Sequence, residues 1–558
     1  MLLRFTPSKG RAGTCTFETN KHMGWRQQNG WEHFPYLQRE GRCRIFNGLE
    51  GVAVSSVFGT GIARLCGVLA APTAGELRRL LAQALRETPT IEVRLDWLKS
   101  DKERHVFLNW LKAHRPAKVQ IIATCRRRVG GGEFTGDAGA ELFWLMKARE
   151  AGCAWCDLEI ETLRELPGKT VRGYAVPEKV LLSMHDFRRT PKFPKRLTVP
   201  VRGGANAIKV AAMARSLQDS ARTLHLARKS RDVVTVAMGE IGLPSRVLAL
   251  REGSALAYAP VASATAPGQI PLRDLKDLYR AHELTRSTRV FGVIGNPIGH
   301  SLSPLLHNTG YIAAKQDAVL LPFLVEGLKD FLKTLPDFGV RGFAVTLPHK
   351  EKIFAYLDEV EPLAVKIGAV NTVTMGNNGS LRGRNTDYVG VLRALEKKMK
   401  LPGSRVVIFG AGGSARAAAF ALVHAGAHVF VCARRPEAAR KLAKAAGGEV
   451  IPRSALRTQK FDALLNATPI GMHPHEKVSP LAAGELNCSL VMDLIYRPMR
   501  TKLLGLAASR GIACVSGVEM FLAQGFAQWE HWMGRKAPES PMRNAVLRAL
   551  KNEKNTRW

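Results

Sequence analysis

Long apolar runs, a disulfide framework and repetitive sequence are all missing from this chain. No window of about 18 residues is uninterruptedly apolar, so no membrane-spanning helix is predicted. The nine cysteines are odd in number and irregularly spaced over 558 residues. This pattern suits free thiols in a reducing compartment and predicts a cytoplasmic protein. With 46% apolar and 23% charged residues, the composition excludes a mainly disordered chain, a collagen and a coiled-coil rod.

Acidic residues are scarce relative to basic ones. The chain has 47 Asp and Glu against 82 Lys and Arg, which gives a formal net charge of +35. A surface this basic attracts anions, which include nucleic acid, acidic lipid, and metabolites that carry carboxylate or phosphate groups. Charge alone does not choose among these classes.

One CxxC motif is present, Cys153 to Cys156. It has no second pair to complete a zinc site, and it runs into an apolar stretch. We therefore interpret both cysteines as small buried side chains near a strand, and we predict no metal site.

The length predicts roughly three to four domains, or two large ones. Residues 1–61 show no sustained helical or strand period and are predicted to be a poorly structured basic extension. A transit peptide is the alternative, and no apolar run of signal-peptide length follows the start. A nucleic-acid-binding role for this extension is a further alternative, but the chain has no recognised motif of that kind. We expect neither a nucleic-acid nor a membrane partner.

Residues 62–285 alternate short apolar runs with amphipathic helical segments. Eight such runs lie at 66–70, 91–95, 119–123, 155–159, 180–184, 207–211, 233–237 and 255–259. Eight strand–helix units in this length predict a (β/α)8 barrel, with an open doubly wound sheet as the alternative.

From residue 289 onward, apolar runs and helical segments alternate again, and this part of the chain contains a glycine turn between a strand and a helix. An apolar strand at 406–409 leads into a glycine turn and an Ala-rich helix, and a second strand follows at 428–433. This βαβ unit predicts a Rossmann nucleotide-binding domain at 396–535, preceded by a substrate domain at 289–395. We predict that the segment 536–558 packs back on the substrate domain.

Polar residues at the carboxyl ends of barrel strands are candidates for chemistry. Lys209 lies inside an apolar run, where burial and nearby cations would favour the neutral amine that attacks ketones. The alternative is a lysine whose head reaches the barrel mouth. His185 ends a predicted strand and could move protons near neutral pH, although a structural role is the more common one for a lone histidine.

Six short motifs follow one another in this segment: EVRLD at 92–96, ATCR at 123–126, SMHDF at 183–187, IK at 208–209, GLPSR at 242–246 and TAPGQ at 265–269. In this order they resemble the motifs of type I 3-dehydroquinate dehydratases. The resemblance implies that Lys209 forms a Schiff base with the substrate ketone and that His185 removes the C2 proton. It also implies that the substrate carboxylate and hydroxyls are held by Glu92, Arg94, Arg126, Arg246, Thr265 and Gln269.

Two positions depart from that family. The family usually has glutamate four residues after the position of Arg126, where this chain has Gly130. Glu133 is a candidate replacement. The family commonly has serine where Thr265 stands, a change that keeps the hydroxyl. The alternative to two working activities is therefore a barrel impaired by Gly130.

The glycine turn at 410–415 can bring backbone N–H groups to a pyrophosphate at a helix start. The second strand ends at Arg434 and Arg435, where an NAD-specific site would favour an acidic residue. Two guanidinium groups instead suit the extra phosphate of NADP. The alternative is a solvated basic strand end.

Seven further motifs closely resemble shikimate dehydrogenase over residues 289–540, beginning with GNPIGHSLSPLLHN at 295–308 and VTLPHK at 345–350. The resemblance implies that Lys350 and Asp387 are the catalytic pair. It implies that the substrate is held by Ser301, Ser303, Thr346, Asn371, Thr386, Tyr496 and Gln524. It implies an NADP site formed by Gly410, Gly412, Gly413, Ser414, Ala415, Arg434, Arg435, Thr468, Gly517 and Met520. Ala344 replaces an asparagine that many relatives carry.

Together these resemblances predict a fused enzyme that dehydrates 3-dehydroquinate to 3-dehydroshikimate and then reduces that product to shikimate with NADPH. The expected ligands are these small molecules. A preference of the second half for quinate is an alternative, against which Ser301, Ser303 and Thr386 argue.

Overall fold

The computed structural model describes residues 56–552 except 195, 196, 198, 200–203, 263–267 and 473. Thr265 and residues 1–55 of the predicted extension lie outside the described residues. No helix in the described ranges has the length and apolar character needed to cross a membrane.

The first eight strands form one parallel sheet in the order β7-β6-β5-β4-β3-β2-β1-β8. They are β1 (Leu65–Leu69), β2 (Thr90–Arg94), β3 (Gln120–Thr124), β4 (Trp155–Glu159), β5 (Lys179–Asp186), β6 (Ala207–Met213), β7 (Val233–Met238) and β8 (Ala257–Pro260). A backbone hydrogen bond from Ala255 to Val233 (2.9 Å) bridges the two ends of this order. The sheet is therefore a nearly closed barrel, and each strand coincides with a predicted apolar run. The (β/α)8 prediction is confirmed over the open sheet.

Helices surround the barrel, and polar residues cap several of their first turns. The helices are Ala74–Ala84, Asp101–Ala113, Ala138–Glu150, Ile160–Glu165, Leu217–Lys229 and Leu243–Leu248. The side chains of Thr73, Ser100, Asp137 and Ser216 accept hydrogen bonds from backbone N–H groups of the helices that follow them. Such caps satisfy donors that a helix start otherwise leaves unpaired.

A second, mixed sheet follows in the order β10-β9-β11-β13-β14-β12. Its strands are β9 (Arg289–Gly295), β10 (Ala318–Leu324), β11 (Val340–Val345), β12 (Glu359–Val360), β13 (Thr372–Met375) and β14 (Leu381–Arg384). Its helices are Ser303–Ala313, Leu328–Phe338, Pro362–Ile367 and Asp387–Glu396. The last two helices of the chain, Gly517–Met533 and Glu539–Asn552, pack their apolar residues with Phe291 and Leu306 of this unit.

The third sheet is parallel throughout, in the order β17-β16-β15-β18-β19-β20. Its strands are β15 (Arg405–Phe409), β16 (His428–Cys432), β17 (Glu449–Val450), β18 (Phe461–Asn466), β19 (Cys488–Asp493) and β20 (Ala513–Val515). The connecting helices are Gly413–His424, Pro436–Ala446, Ala455–Thr458 and Lys502–Ser509. The strand order reverses between β15 and β18, where a doubly wound sheet opens a crevice at its carboxyl edge. This is the predicted Rossmann architecture.

The barrel and the second sheet share one hydrophobic core. Leu224 of the Leu217–Lys229 helix and Leu248 belong to the same buried cluster as Leu321 and Phe331 of the following unit. Polar contacts reinforce this junction, because the Leu328–Phe338 helix has its last carbonyl groups bound by arginines. Arg228 donates to Asp337 O, and Arg251 donates to Phe338 O at 3.3 Å. Cations at this end also complement the helix dipole.

The cysteines that the structure describes are free thiols. Cys153 and Cys156 are both buried, and Cys156 lies within β4. No cluster of potential metal ligands occurs within the described ranges.

Leu224→Ala should weaken both halves of the chain, because it opens a cavity in the core that they share. We expect a loss of about 2–5 kcal/mol in the free energy of unfolding. The temperatures at which the two units lose their secondary and tertiary structure should fall together. Leu111→Ala, in a buried barrel position outside this shared cluster, is the matched control and should affect the barrel first. Equal behaviour of the two variants would contradict a common core.

Candidate active sites

Acidic and basic side chains are buried together on the barrel strands and directly after them. The acidic members are Glu92, Asp96, Asp157 and Glu159, and the basic members are Arg126 and Lys209. Arg94 and His185 contact members of this cluster, and Arg246, which is partly exposed, lies after β7. Buried charges are tolerated when they are paired and hydrogen-bonded, and the contacts here are of that kind.

Lys209 lies on β6 and is 5% exposed, so its head does not reach bulk solvent. Its Nζ donates to Asp157 Oδ2 at 2.7 Å and lies 3.6 Å from Glu92 Oε1. The sequence led us to expect nearby cations, but the first neighbours are carboxylates. Burial alone would raise the pKa of the Asp157 carboxyl, but the Lys209 ammonium and the Arg126 guanidinium outweigh that effect and lower it.

His185, near the end of β5, faces the same centre. Its Nδ1 is 3.0 Å from Glu159 Oε2, and its ring stacks on Phe187 with centroids 5.7 Å apart. Burial, and secondarily the Arg126 charge, lower the pKa of His185 against the opposing effect of Glu159. The imidazole is therefore neutral at physiological pH and able to accept a proton.

The three arginines of the predicted set have different partners. Arg94 forms a two-point pair with Asp96, with Nε–Oδ1 at 2.9 Å and Nη2–Oδ2 at 2.7 Å. Arg126 donates to Glu159 at 2.5 Å, and its Nη2 lies 3.4 Å from Asp157 Oδ1. Both guanidinium groups are thus largely occupied by protein carboxylates rather than open to a ligand.

Arg246 is the exception among the three. Its Nε donates to Ala237 O at 2.9 Å, and burial lowers its pKa to about 10. Within the described residues it forms no salt bridge. A half-buried guanidinium without a carboxylate partner favours an anionic ligand such as a carboxylate.

Two further predicted residues, Gln269 and Glu133, lie in loops that follow barrel strands. Gln269 is half-buried in the loop after β8. Glu133 is exposed, and its contact toward the site is made by its backbone N–H, which donates to Asp96 Oδ2 at 3.2 Å. The structure therefore does not bring the Glu133 carboxylate into the charged cluster.

Sequence reasoning missed the carboxylates that organise this cluster. Asp157 and Glu159 are the third and fifth residues of β4, and Ser183 of the adjacent strand donates to Asp157 at 2.5 Å. Two acidic residues spaced by two in an otherwise apolar strand point to the same face. That spacing was the signal that could have found them.

A second site lies at the carboxyl edge of β11 and the start of the Asp387–Glu396 helix. Lys350 Nζ donates to Asp387 Oδ2 at 2.6 Å. The Lys350 side chain is 25% exposed and that of Asp387 is 10% exposed, so the pair is partly accessible from the surface. The preceding residue, His349, is buried and anchors this loop through Nε2 to Val325 O at 2.8 Å.

Asn371 is hydrogen-bonded to its neighbours in this site. Its Nδ2 donates to Asp387 Oδ1 at 2.8 Å and to Thr386 Oγ1 at 3.0 Å. Its Oδ1 accepts from the Thr386 backbone N–H at 2.7 Å and from Thr372 Oγ1 at 2.8 Å. Asn371 thus donates its amide protons to Thr386 and Asp387, and these hydrogen bonds hold the Asp387 carboxylate in place.

The remaining predicted ligands of this site lie on several elements. The Ser301 hydroxyl accepts from the Ser303 backbone N–H at 3.3 Å at the start of the Ser303–Ala313 helix. Thr346 follows β11, and Ala344 is a buried residue of that strand. Tyr496 stacks on Phe521 with centroids 4.9 Å apart. Gln524 Nε2 donates to Phe521 O at 2.9 Å.

The glycine turn between β15 and the Gly413–His424 helix fits a dinucleotide phosphate. Gly410 has φ +124°, and a Cβ there would meet Ala467 O at 3.0 Å. A Cβ on Gly412 or Gly413 would meet no atom within 4 Å, so both face open space. The helix start has no capping side chain and no acidic residue in its first turn. Its N–H groups, including those of Ser414 and Ala415, are available to an anion.

Other predicted cofactor contacts border the same crevice or the long helix beyond it. Arg434 and Arg435 are exposed after β16, and neither is ion-paired within the part of the chain that the structure describes. Thr468 is held by Asn466, whose Oδ1 accepts from its N–H and its hydroxyl at 3.0 and 2.7 Å. Gly517 begins the Gly517–Met533 helix, which also carries the buried Met520.

Family models match three parts of the chain. The model of type I 3-dehydroquinase matches residues 65–286. The substrate-binding domain of shikimate dehydrogenase matches residues 293–373, and the C-terminal domain of shikimate 5'-dehydrogenase matches residues 517–547.

Individual relatives agree with these matches. The chain is 33% identical over 478 residues to the chloroplastic bifunctional 3-dehydroquinate dehydratase/shikimate dehydrogenase of Arabidopsis thaliana, covering 80% of this chain and 78% of that protein. It is 40% identical over 285 residues to the NADP(+) shikimate dehydrogenase of Methanothermobacter thermautotrophicus, covering 48% of this chain and all of that protein. A crystal structure of shikimate 5-dehydrogenase from Thermus thermophilus with NADP(H) and shikimate has a TM-score of 0.44 and 36% identity, covering 47% of this chain and 99% of that one.

Asp157→Asn should destabilise the barrel, because it leaves the buried charges of Lys209 and Arg126 undercompensated. We expect a loss of about 3–5 kcal/mol at pH 7, measured by urea unfolding. The folded-state pKa of Asp157 is lowered, so its stabilising effect is present above the unfolded value of about 4 and is lost as pH falls below it. The difference between variant and parent should therefore stay constant from about pH 8 to 5 and narrow below about pH 4.

The matched control for that change is Asp330→Asn in an exposed first helical turn. It should cost about 0.5 kcal/mol at pH 7. An Asp157→Asn variant as stable as this control would show that the carboxylate does not compensate the buried cations.

Proposed function

The chain belongs to the family of bifunctional 3-dehydroquinate dehydratase/shikimate dehydrogenases, and we propose that each of its two lysine–carboxylate sites performs one of these reactions. The barrel dehydrates 3-dehydroquinate to 3-dehydroshikimate, and the following unit reduces that product to shikimate with NADPH. The observation that carries the proposal is the presence of two separate lysine–carboxylate pairs, Lys209 with Asp157 in the barrel and Lys350 with Asp387 in the following unit. Matches over both halves support two activities over the alternative of an impaired barrel.

In the barrel, Lys209 is the nucleophile. Its amine attacks the substrate ketone carbon, and loss of water gives an imine. A proton must leave Nζ before the attack, and Asp157 and Glu92 are the acidic groups in contact with that nitrogen. The imine then withdraws electrons from the neighbouring carbon, so the C2 proton becomes easier to remove.

His185 moves the protons in this half. Its neutral ring takes the C2 proton, and the resulting imidazolium gives a proton to the departing C1 hydroxyl, which leaves as water. Hydrolysis of the imine releases product and restores the Lys209 amine. Arg246 is proposed to bind the substrate carboxylate, because it is a half-buried cation that forms no salt bridge in the described part of the chain. Arg94, Arg126 and Glu92 act mainly by organising the charges around Lys209.

Borohydride trapping tests the imine. Reduction in the presence of 3-dehydroquinate should add ligand mass to the peptide that contains Lys209, because an imine becomes a stable secondary amine. The adduct should be absent from Lys209→Arg and retained in the control Lys179→Arg, which alters an exposed lysine at the start of β5. Dehydratase turnover without any adduct on Lys209 would contradict covalent catalysis.

In the second half, Lys350 is the proton donor. NADPH, when bound, supplies the hydride to the ring ketone. The Lys350 ammonium stabilises the negative charge that develops on the ketone oxygen and donates a proton to it. Asp387 holds Nζ in place, and Asn371 in turn fixes the Asp387 carboxylate. Ser301, Ser303, Thr346, Tyr496 and Gln524 are proposed to contact the substrate.

The residues for NADP fit its chemistry. The uncapped start of the Gly413–His424 helix offers N–H donors for the pyrophosphate. Arg434 and Arg435 offer two exposed guanidinium groups for the additional phosphate. We assign Thr468, Gly517 and Met520 to the nicotinamide side of the crevice. The thiols of the described cysteines agree with a reducing compartment, and we propose the cytoplasm.

Lys350→Ala should abolish reduction much more than it weakens binding. We expect kcat for 3-dehydroshikimate reduction to fall about 100- to 10,000-fold, because the oxygen loses its proton donor. KM should change only a few-fold. NADPH absorbance follows the reaction, and Lys352→Ala, an exposed neighbour, is the control. Turnover of Lys350→Ala equal to that control would remove Lys350 from the chemistry.

The unaltered chain should oxidise quinate more slowly than shikimate.

A further inference from the structure

Glu159 lies between the catalytic histidine of the barrel and a guanidinium. One carboxylate oxygen accepts from Arg126 Nε at 2.5 Å, and the other lies 3.0 Å from His185 Nδ1. The side chain is 3% exposed. Glu159 also precedes the Ile160–Glu165 helix, but its side chain does not cap that helix. The whole carboxylate is therefore committed to this bridge.

Gly130 leaves the space that this bridge occupies. A Cβ at residue 130 would lie 2.9 Å from Glu159 Cγ and 3.2 Å from its Cδ. The backbone of Gly130 is not in the left-handed region, so its conformation does not require glycine. The neighbour that a side chain at this position would displace is Glu159.

We propose that Glu159 is the positioning residue for His185 and that Gly130 is the feature that admits it. This inference rests on the proposed dehydratase function and deepens it. The carboxylate accepts the Nδ1 proton and thereby selects the tautomer whose Nε2 lone pair is free to take the C2 proton. The family usually has glutamate at the position of Gly130. In this chain Glu159 of β4 supplies the carboxylate instead.

The charges that face His185 make this role measurable. They are Arg126 after β3, Asp157 and Glu159 on β4, and Lys209 on β6. Removing the negative charge of Glu159 leaves the two cations less opposed, which disfavours the imidazolium. In Glu159→Gln, a carbonyl directed to Arg126 turns the amide NH2 toward Nδ1. That arrangement favours the Nε2–H tautomer, which cannot accept the substrate proton.

The experiment compares dehydratase kinetics of Glu159→Gln with the parent full-length chain. We expect kcat to fall at least about 100-fold while KM stays within about threefold. The acid limb of the kcat/KM profile should move to lower pH. Glu159→Asp, which keeps the charge, should recover part of kcat. Glu165→Gln is the matched control, since this glutamate also pairs with an arginine but lies away from His185. Circular dichroism and urea unfolding of the variant report whether its barrel is folded.

Gly130→Ala tests the steric half with Glu159 still present. We expect about a tenfold loss of kcat, because the methyl group displaces the carboxylate from His185. The double variant with Glu159→Gln should be no slower than Glu159→Gln alone, since the two changes remove the same interaction. Gly130→Ala on its own still tests the inference if Glu159→Gln proves to be misfolded.

Several results would overturn the inference. A kcat for Glu159→Gln within threefold of the parent would do so, as would a loss of activity with an unmoved acid limb or parental kcat in Gly130→Ala. His185→Ala separates this failure from failure of the proposed function. If His185→Ala is inactive and Glu159→Gln is active, only the positioning role is lost. If His185→Ala turns over at the parental rate, the proposed dehydratase mechanism itself is wrong.

Discussion

Charge compensation inside the barrel is the constraint on which the first site depends. A lysine and an arginine are buried there, and each is bound by a carboxylate of β4. Desolvation would make either cation costly alone, and opposite charges at these distances offset that cost. The same pairing has a chemical use, because it places an amine, a proton acceptor and a neutral imidazole around one centre. The second site uses a smaller version of this arrangement, with one lysine, one aspartate and an asparagine that keeps the aspartate in place.

The two sites differ in how they treat their lysine. Lys209 is enclosed within a nearly closed sheet, where covalent attachment to a substrate can proceed away from water. Lys350 is a quarter exposed, so an ammonium there can regain its proton from solvent after each turnover. Enclosure suits a nucleophile and partial exposure suits a proton donor, so the local burial of each nitrogen matches the role proposed for it.

Much of this architecture could be predicted from the sequence. Buried parallel strands require continuous apolar runs, and the eight runs found in the first half are the eight strands of the barrel. The glycine turn and the strand before it likewise marked the nucleotide crevice. The partners of the reactive groups were harder to foresee. Asp157 and Glu159 were hidden within an apolar run, and the hydrogen bonds that Asn371 donates to Thr386 and Asp387 could not be read from the sequence. Such assignments depend on which strands become neighbours and on where hydrogen bonds point, and a linear pattern does not contain either.

The apolar cluster that runs from the Leu217–Lys229 helix into β10 has an evolutionary consequence. Two independent enzymes joined by a linker could each be exchanged for a distant homologue without harm. In this chain, a replacement for either half would need apolar side chains that pack against the other half. Otherwise the junction would contain cavities and solvent-exposed apolar surface. The fusion is therefore difficult to reverse. Because the two halves have complementary surfaces in one core, separating or replacing either half would lower the stability of both.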